Sequence, residues 1–293
     1  MKKKIGWFCL SILALLILTA VTIALLAKPI PNHSYFEKEG VLVMAHRGGR
    51  DLWPENTLYA FEQAVELGVD VLEMDVHSTS DGVIVVMHDK TVDRTTDGLG
   101  PIHDFPWDQL RELDAGYKWS DDEDQTFPYR GLGINVPTLE EVFSSFPDML
   151  MNVEIKQTEP SIVNAVCELI RSYGMEGKVL VASFNSDTIN AFRQVCPEVA
   201  STAGEDEVRW LYGLSLPFLG GLYTPAAEAV QVPEYQGGIH VLTPRFVNAA
   251  HNRGMEVHVW TVNDVEDMAR FIDMGVGGII TDRPDLLLSL LKR

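Results

Sequence analysis

Glu73, Asp75, His77 and His88 fall within one stretch of the chain, Val71 to Asp89, which reads VLEMDVHSTSDGVIVVMHD. It divides into two β-rich runs joined by Ser78-Thr79-Ser80-Asp81-Gly82, and Asp-Gly between alternating runs is a strong turn signal. A hairpin with Ser78 opposite Val83 sets Glu73 opposite His88 and Asp75 opposite Val86. Opposed residues share a face, with Cβ atoms roughly 5 Å apart. Alternation puts Glu73, Asp75 and His77 on one side and Leu72, Met74 and Val76 on the other. Such a patch suits a metal site or an acid/base site; a solvated hairpin face is the plain alternative.

The same residue types recur at the ends of other apolar runs. Asn152-Val153-Glu154-Ile155-Lys156 alternates polar and apolar side chains, and His46-Arg47-Gly48 closes the first run of the body. Glu73, Asp75 and Glu154 together offer oxygen ligands that suit Ca²⁺ or Mg²⁺. Zinc is not indicated, because the chain has no His-Glu-x-x-His and no paired Cys-x-x-Cys. These acids could instead be neutralised by Arg47 and Lys156, since buried acids need cationic partners. His46 and His88 titrate near neutrality, so one can take a proton from a nucleophile while the other protonates a leaving oxygen. Arg47 and Lys156 match phosphate oxygens. The set points to P–O cleavage in an anionic diester. His77 and His258 could support it from behind, whereas His33, His103, His240 and His251 have no comparable surroundings. Neither a P-loop nor a Gly-x-Ser-x-Gly elbow occurs.

These groups need elements to bring them together. Val41–His46 reads as a strand and 57–67 as a helix with Leu58, Phe61 and Val65 on one face. After the hairpin, residues 90–137 are rich in Gly, Pro and Asp and form an insertion, with a possible role as a lid. Thr138-Leu139-Glu140-Glu141 is a capping box. Then follow strand 150–156, helix 160–173 with Pro160 in its first turn, strand 179–184 and helix 186–196. Strands 199–203 and 229–232 are weaker, and 205–223 has no clear assignment. Thr243-Pro244 opens a helix closed by Gly254; strand 255–262, a helix opened by Asn263 and strand 278–282 complete the chain. Without the second hairpin arm, eight strands remain, mostly followed by helices. That is the pattern of a (β/α)8 TIM barrel, whose active sites lie at the C-terminal ends of the strands. A doubly wound sheet is the competing fold, but no Gly-x-Gly-x-x-Gly follows the first strand.

The N-terminus reads differently. Met1 to Lys4 is basic and Ile5 to Ala27 is uncharged, long enough to span a bilayer core that needs ~20 residues. A cleaved signal peptide is the alternative, but Leu25-Leu26-Ala27 lacks the small-x-small site it would need. Residues 1–28 are therefore expected to be a signal anchor and 29–40 a short polar linker. The barrel would occupy 41–293 on the extracytoplasmic side, by the positive-inside rule. The first 28 residues hold four of the 23 lysines and arginines and none of the 42 acids, so the body carries −23. That charge disfavours a nucleic-acid substrate, and no protein partner is implied. Cys9, Cys167 and Cys196 are read as small hydrophobes.

In family order, the motifs His46-Arg47-Gly48, Pro54-Glu55-Asn56-Thr57, Leu72-Glu73-Met74-Asp75-Val76, His88-Asp89 and Asp93-Arg94-Thr95-Thr96-Asp97-Gly98 resemble the glycerophosphodiester phosphodiesterase family. The likeness continues in Glu154-Ile155-Lys156, Trp260-Thr261-Val262-Asn263 and Ile280-Thr281-Asp282-Arg283-Pro284. It implies metal-dependent hydrolysis of glycerophosphodiesters to an alcohol and glycerol 3-phosphate. His46 and His88 would be the acid/base pair, and Glu73, Asp75 and Glu154 would hold the metal. Arg47 and Lys156 would bind phosphate, Phe184 and Trp260 would line the substrate pocket, and Glu55 and Asn56 would sit beside the metal cluster. His77 stands where the family usually has glutamine. With the membrane segment, it is reminiscent of the lysophospholipase D branch, which would release lysophosphatidic acid and a headgroup alcohol. An inactive barrel that binds lipid headgroups is the non-enzymatic alternative, and it would require a lost catalytic position.

Overall fold

The computed structural model describes residues 27–293 together with Thr19 and Thr22. The expected membrane span, residues 5–27, lies outside the described residues except for Thr19, Thr22 and Ala27. No described helix is long and apolar enough to cross a membrane.

In chain order the elements are β1 (Leu42–Ala45), α1 (Leu58–Leu67), β2 (Val71–Ser78), β3 (Ile84–Val86), α2 (Trp107–Leu110), α3 (Leu139–Ser145) and β4 (Leu150–Ile155). There follow α4 (Val163–Ser172), β5 (Val179–Ala182), α5 (Ser186–Val195), β6 (Ala200–Ser201), α6 (Glu205–Ser215) and β7 (Ala229–Val232). The chain ends with β8 (Tyr235–Gln236), β9 (Ile239–His240), α7 (Pro244–His251), β10 (Glu256–Val259), α8 (Val265–Met274), β11 (Gly278–Thr281) and α9 (Pro284–Leu290). Eight strands pair in parallel in the order β6-β5-β4-β2-β1-β11-β10-β7. A bridge between Thr202 and Ala229 and the bond from Ala203 N–H to the Ala229 carbonyl (2.8 Å) bring the two ends together. The result is a nearly closed parallel barrel of the TIM type.

Strand alternation sorts its side chains. Val43, Leu72, Met74, Val153 and Val181 pack outward against Phe61, Phe143 and Phe192 of the helices. Leu42, Met44, Val71 and Ile280 form a separate cluster inside. Continuing that inward parity towards the C-terminal ends brings His46, Glu73, Asp75, Asn152, Glu154 and Lys156 to one mouth. The insertion after β3 has a small core of its own, built on Val92, Ile102, Leu110, Ile134 and Val136.

Several expectations are corrected. The hairpin register is Ser78 with Ile84 and Val76 with Val86, one residue away from the expected pairing. Thr79 and Val83 close the turn: Thr79 N–H donates to the Val83 carbonyl (3.0 Å), and Val83 N–H donates to Thr79 Oγ1 (3.0 Å). The loop is thus Ser80-Asp81-Gly82, three residues with Gly82 at φ 86°, rather than the four assumed. Met87, not Val86, then lies against Asp75, and His88 leaves the ladder.

Helix α4 begins at Val163, not in the turn at Pro160, because the Pro160 carbonyl is engaged by Gln157 Nε2 (2.7 Å). The cap of α8 is Asp264; Asn263 is drawn away to Asp282. Residues 205–215, unassigned from sequence, are helix α6, which buries only Leu211 and Ser215 and so shows little apolar periodicity. Cys167 and Cys196 are not simple core hydrophobes. The packing of α4 against α5 joins them in a disulfide with a Cα–Cα distance of 5.9 Å.

The stretch 29–40 is also more than a linker. His33 Nε2–H donates to the Glu198 carbonyl (3.1 Å), Ile30 N–H to the Arg253 carbonyl (2.9 Å), and Lys38 pairs with Asp70. Tyr35 is fully buried among Leu180, Ala200 and Ala229, plugging the end of the barrel opposite the mouth.

Candidate active site

The turn after β1 carries the first histidine. Arg47 (φ 52°) and Gly48 (φ 85°) are left-handed, and a Cβ on Gly48 would lie 2.8 Å from that of Ala60 in α1. Glycine lets the turn lie directly on the helix and aims His46 into the mouth. Its Nδ1–H donates to Asp282 Oδ1 at 2.5 Å, and its Nε2 is 4.0 Å from Glu73 Oε2. Asp282 is fixed in turn by Asn263, which donates Nδ2–H to Asp282 Oδ2 (2.8 Å) and accepts from the Asp282 N–H (2.9 Å). His88 is held in the same manner, with Nδ1–H donating to Asp89 Oδ1 at 2.6 Å. Each imidazole therefore has a carboxylate behind it, leaving Nε2 as the free nitrogen.

Glu73, Asp75 and Glu154 each offer an oxygen within 4.8 Å of the others. Lys156 Nζ lies 3.3 Å from Asp75 and 3.0 Å from Glu154. Arg47 donates its backbone N–H to Glu73 (2.8 Å) and sets Nε 3.3 Å from Asp75, while Nη1 donates to Glu55 (2.8 Å). Asn56 Nδ2 donates to Asp75 (3.1 Å). Glu55 and Asn56 thus lie beside the acidic cluster. Much of the Arg47 guanidinium is already engaged by carboxylates, while Lys156 lies on the cleft. His77 is buried and turned from the cleft, donating Nε2–H to the His88 carbonyl (3.1 Å). His258 is fully buried in the barrel, its Nδ1 3.2 Å from Gln231 Nε2.

Crowding and burial set the protonation of these groups. Burial, reinforced by Asp75, pushes the Glu73 carboxyl above the usual carboxylate range. Burial also raises Glu154. Asp75 goes the other way: burial opposes its ionisation, but Lys156 and Arg47 outweigh it. The histidines split similarly. Burial disfavours the charged form of both, yet Glu73 and the Asp282 bond lift His46 above its ordinary value, whereas His88 stays below. Burial should raise Glu55, but Arg94 and Arg47 bring it down to about 2.

The mouth opens into a cavity of about 550 Å³. One end holds the acids, both histidines, Arg47 and Lys156. The other side is largely apolar, lined by Ala203 just before α6, by Val208 and Tyr212 within that helix, and by Val232, Ile239 and Val241 around the β8–β9 hairpin, with Glu205 and Arg209 of α6 at its edge. Phe184 and Trp260, edge to face at 5.4 Å, stand among the lining residues. Among the described residues, none of 90–137 lines this cavity, so the lid expected of the insertion finds no support here. Sequence reasoning did not assign roles to Asp89, Arg94, Asn263 and Asp282. The available signal was position: Asp89 adjoins His88, and Asp282 ends the strand beside β1.

Residues 46–286 match the model of the glycerophosphoryl diester phosphodiesterase family. The chain belongs to that family. A glycerophosphodiester phosphodiesterase of Caldanaerobacter subterraneus subsp. tengcongensis is 36% identical over 261 residues, which is 86% of this chain and 98% of the relative. A lysophospholipase D of Mus musculus is 26% identical over 277 residues, covering 85% of each chain. Among solved structures, an Oleispira antarctica phosphodiesterase in complex with the product sn-glycerol-3-phosphate superposes with a TM-score of 0.70 at 25% identity. It covers 89% of this chain and all of that one. The family membership and the identity to named phosphodiesterases make this chain a glycerophosphodiester phosphodiesterase.

Proposed function

We propose that the chain cleaves glycerophosphodiesters to an alcohol and glycerol 3-phosphate with a divalent cation held by Glu73, Asp75 and Glu154. The observation that carries this reading is two aspartate-backed histidines beside three converging carboxylates in one cleft. The donor set fits a hard cation: it is all oxygen, and without an ion two of its carboxyls are driven towards the protonated form. A bound Ca²⁺ or Mg²⁺ would polarise the phosphoryl oxygens and offset charge developing on them. Lys156 and the outward edge of Arg47 hold the phosphate. With His46 raised and His88 lowered, neutral His88 takes the proton from the nucleophile and protonated His46 delivers one to the departing alkoxide.

The apolar wall opposite the acids favours a second reading, lysophospholipase D action on a substrate with one acyl chain. Glycerophosphocholine and lysophosphatidylcholine compared side by side, with choline release as the readout, separate the two. Faster turnover of the short diester supports the first reading, and preference for the acylated one supports the second. Choline release from neither, with cation present, counts against both for choline-bearing substrates. We further propose an anchored chain with an extracytoplasmic barrel. The Lys2-Lys3-Lys4 cluster before the uncharged run supports it, as does the Cys167–Cys196 disulfide, since such bonds persist in oxidising compartments.

A further inference from the structure

The strap over residues 29–38 sits on the barrel end opposite the active site. Ile30 bonds to the carbonyl of Arg253, just before β10, and His33 to that of Glu198, just before β6. Ser34 faces Gly177, before β5, and Lys38 pairs with Asp70, before β2. All four partners lie at N-terminal ends of strands, and Tyr35 fills the lumen between them. A Cβ on Gly254 would come within 2.8 Å of the Ile30 carbonyl, so the backbones are in direct contact there. The strap is part of the folded barrel, not a loose tether.

This fixes where the uncharged run ends. Ala27 is three residues from Ile30, a reach of about 10 Å at most. The mouth is at the other end of the strands, and the eight residues of β2 alone span about 26 Å. Resting on the anchoring proposed above, we infer that the strapped end of the barrel faces the bilayer and that the active-site mouth opens away from it. The cleft is then served from the aqueous side. Its substrates are water-soluble deacylated diesters, or lysolipids dispersed in water, and not lysolipids lying in the leaflet that holds the anchor.

The test uses the full chain with Cys9→Ser, reconstituted into phosphatidylcholine vesicles carrying nitroxide-labelled lipid. One variant adds Asn252→Cys, exposed beside Arg253 at the strapped end, and another adds Tyr235→Cys, exposed on β8 at the mouth. Each is labelled with a small fluorophore. Quenching by the nitroxide lipid several-fold stronger at 252 than at 235 is expected. Equal quenching at the two positions, or stronger quenching at 235, overturns the orientation while leaving the anchor intact. A chain that does not sediment with the vesicles overturns the anchoring, and the orientation with it.

Discussion

At the scale of single residues, the cleft depends on which proton sits where. The proposed reaction needs protonated His46 and neutral His88 together, so kcat/KM should follow a bell. Its two limbs report the two imidazoles, each backed by a carboxylate. Asp282→Asn withdraws the carboxylate that favours imidazolium at His46, and the alkaline limb should move to lower pH. An unmoved limb would show that His46 is not the group being titrated. His46→Ala should cost about 100-fold or more in kcat with little change in melting temperature. Glu55 tests structure instead. Its folded value near 2 lies below the ordinary 4.5, so its contribution to stability is whole above 4.5 and drains away as pH falls towards 2. Glu55→Gln should lose about 2 kcal/mol at neutral pH, a figure discounted because Arg94 is half-exposed, and should flatten that acid dependence. Urea unfolding at several pH values measures both. The candidate residues on β2 and β4 were legible because they alternate with apolar ones along their strands. Asp89 and Asp282 were not assigned because a carboxylate beside a histidine declares its partner only through geometry.

At the scale of elements, two pieces shape the cleft. The turn after β1 needs Gly48. Gly48→Ala would place a Cβ against Ala60 at φ 85°, which should destabilise the chain by about 1–3 kcal/mol and misplace His46. Thermal melts and kcat together report it. Helix α6 and the β8–β9 hairpin supply the apolar wall. Val208→Asp or Ile239→Asp should raise KM roughly tenfold for lysophosphatidylcholine while leaving glycerophosphocholine nearly unchanged. Equal effects on both substrates would show that the wall does not serve an acyl chain. The β/α alternation was legible because outward Val, Leu and Met and inward polar residues share a period of two. The wall was not, since α6 overhangs the mouth with little buried surface and the β8–β9 hairpin has two-residue arms. The β2–β3 register slipped by one because Thr79 reaches across to Val83, a side-chain choice that periodicity does not reveal.

At the scale of the molecule, the chain ties itself together where the sequence looked slack. The Cys167–Cys196 bond closes a loop of 29 residues, and its reduction should lower stability by about 3 kcal/mol, read as a shift in the urea midpoint. A separation of 29 residues carries no sign that two helices lie side by side, so the pairing could not be read beforehand. The strap at Tyr35 was hidden for a similar reason: its partners, from Asp70 to Arg253, are scattered along the chain. The barrel itself was legible from the repeat of its units and the inward polar residues at their ends. The proposed chemistry rests on the acidic cluster, and one measurement addresses it. Choline release from glycerophosphocholine would be followed with Ca²⁺ or Mg²⁺, with chelator, and for the double variant Glu73→Gln and Asp75→Asn. Release that needs the cation, stops in chelator, returns on adding excess cation and is absent in the variant is the predicted result. Undiminished release in chelator, or by the variant, would contradict a cation held by these carboxylates.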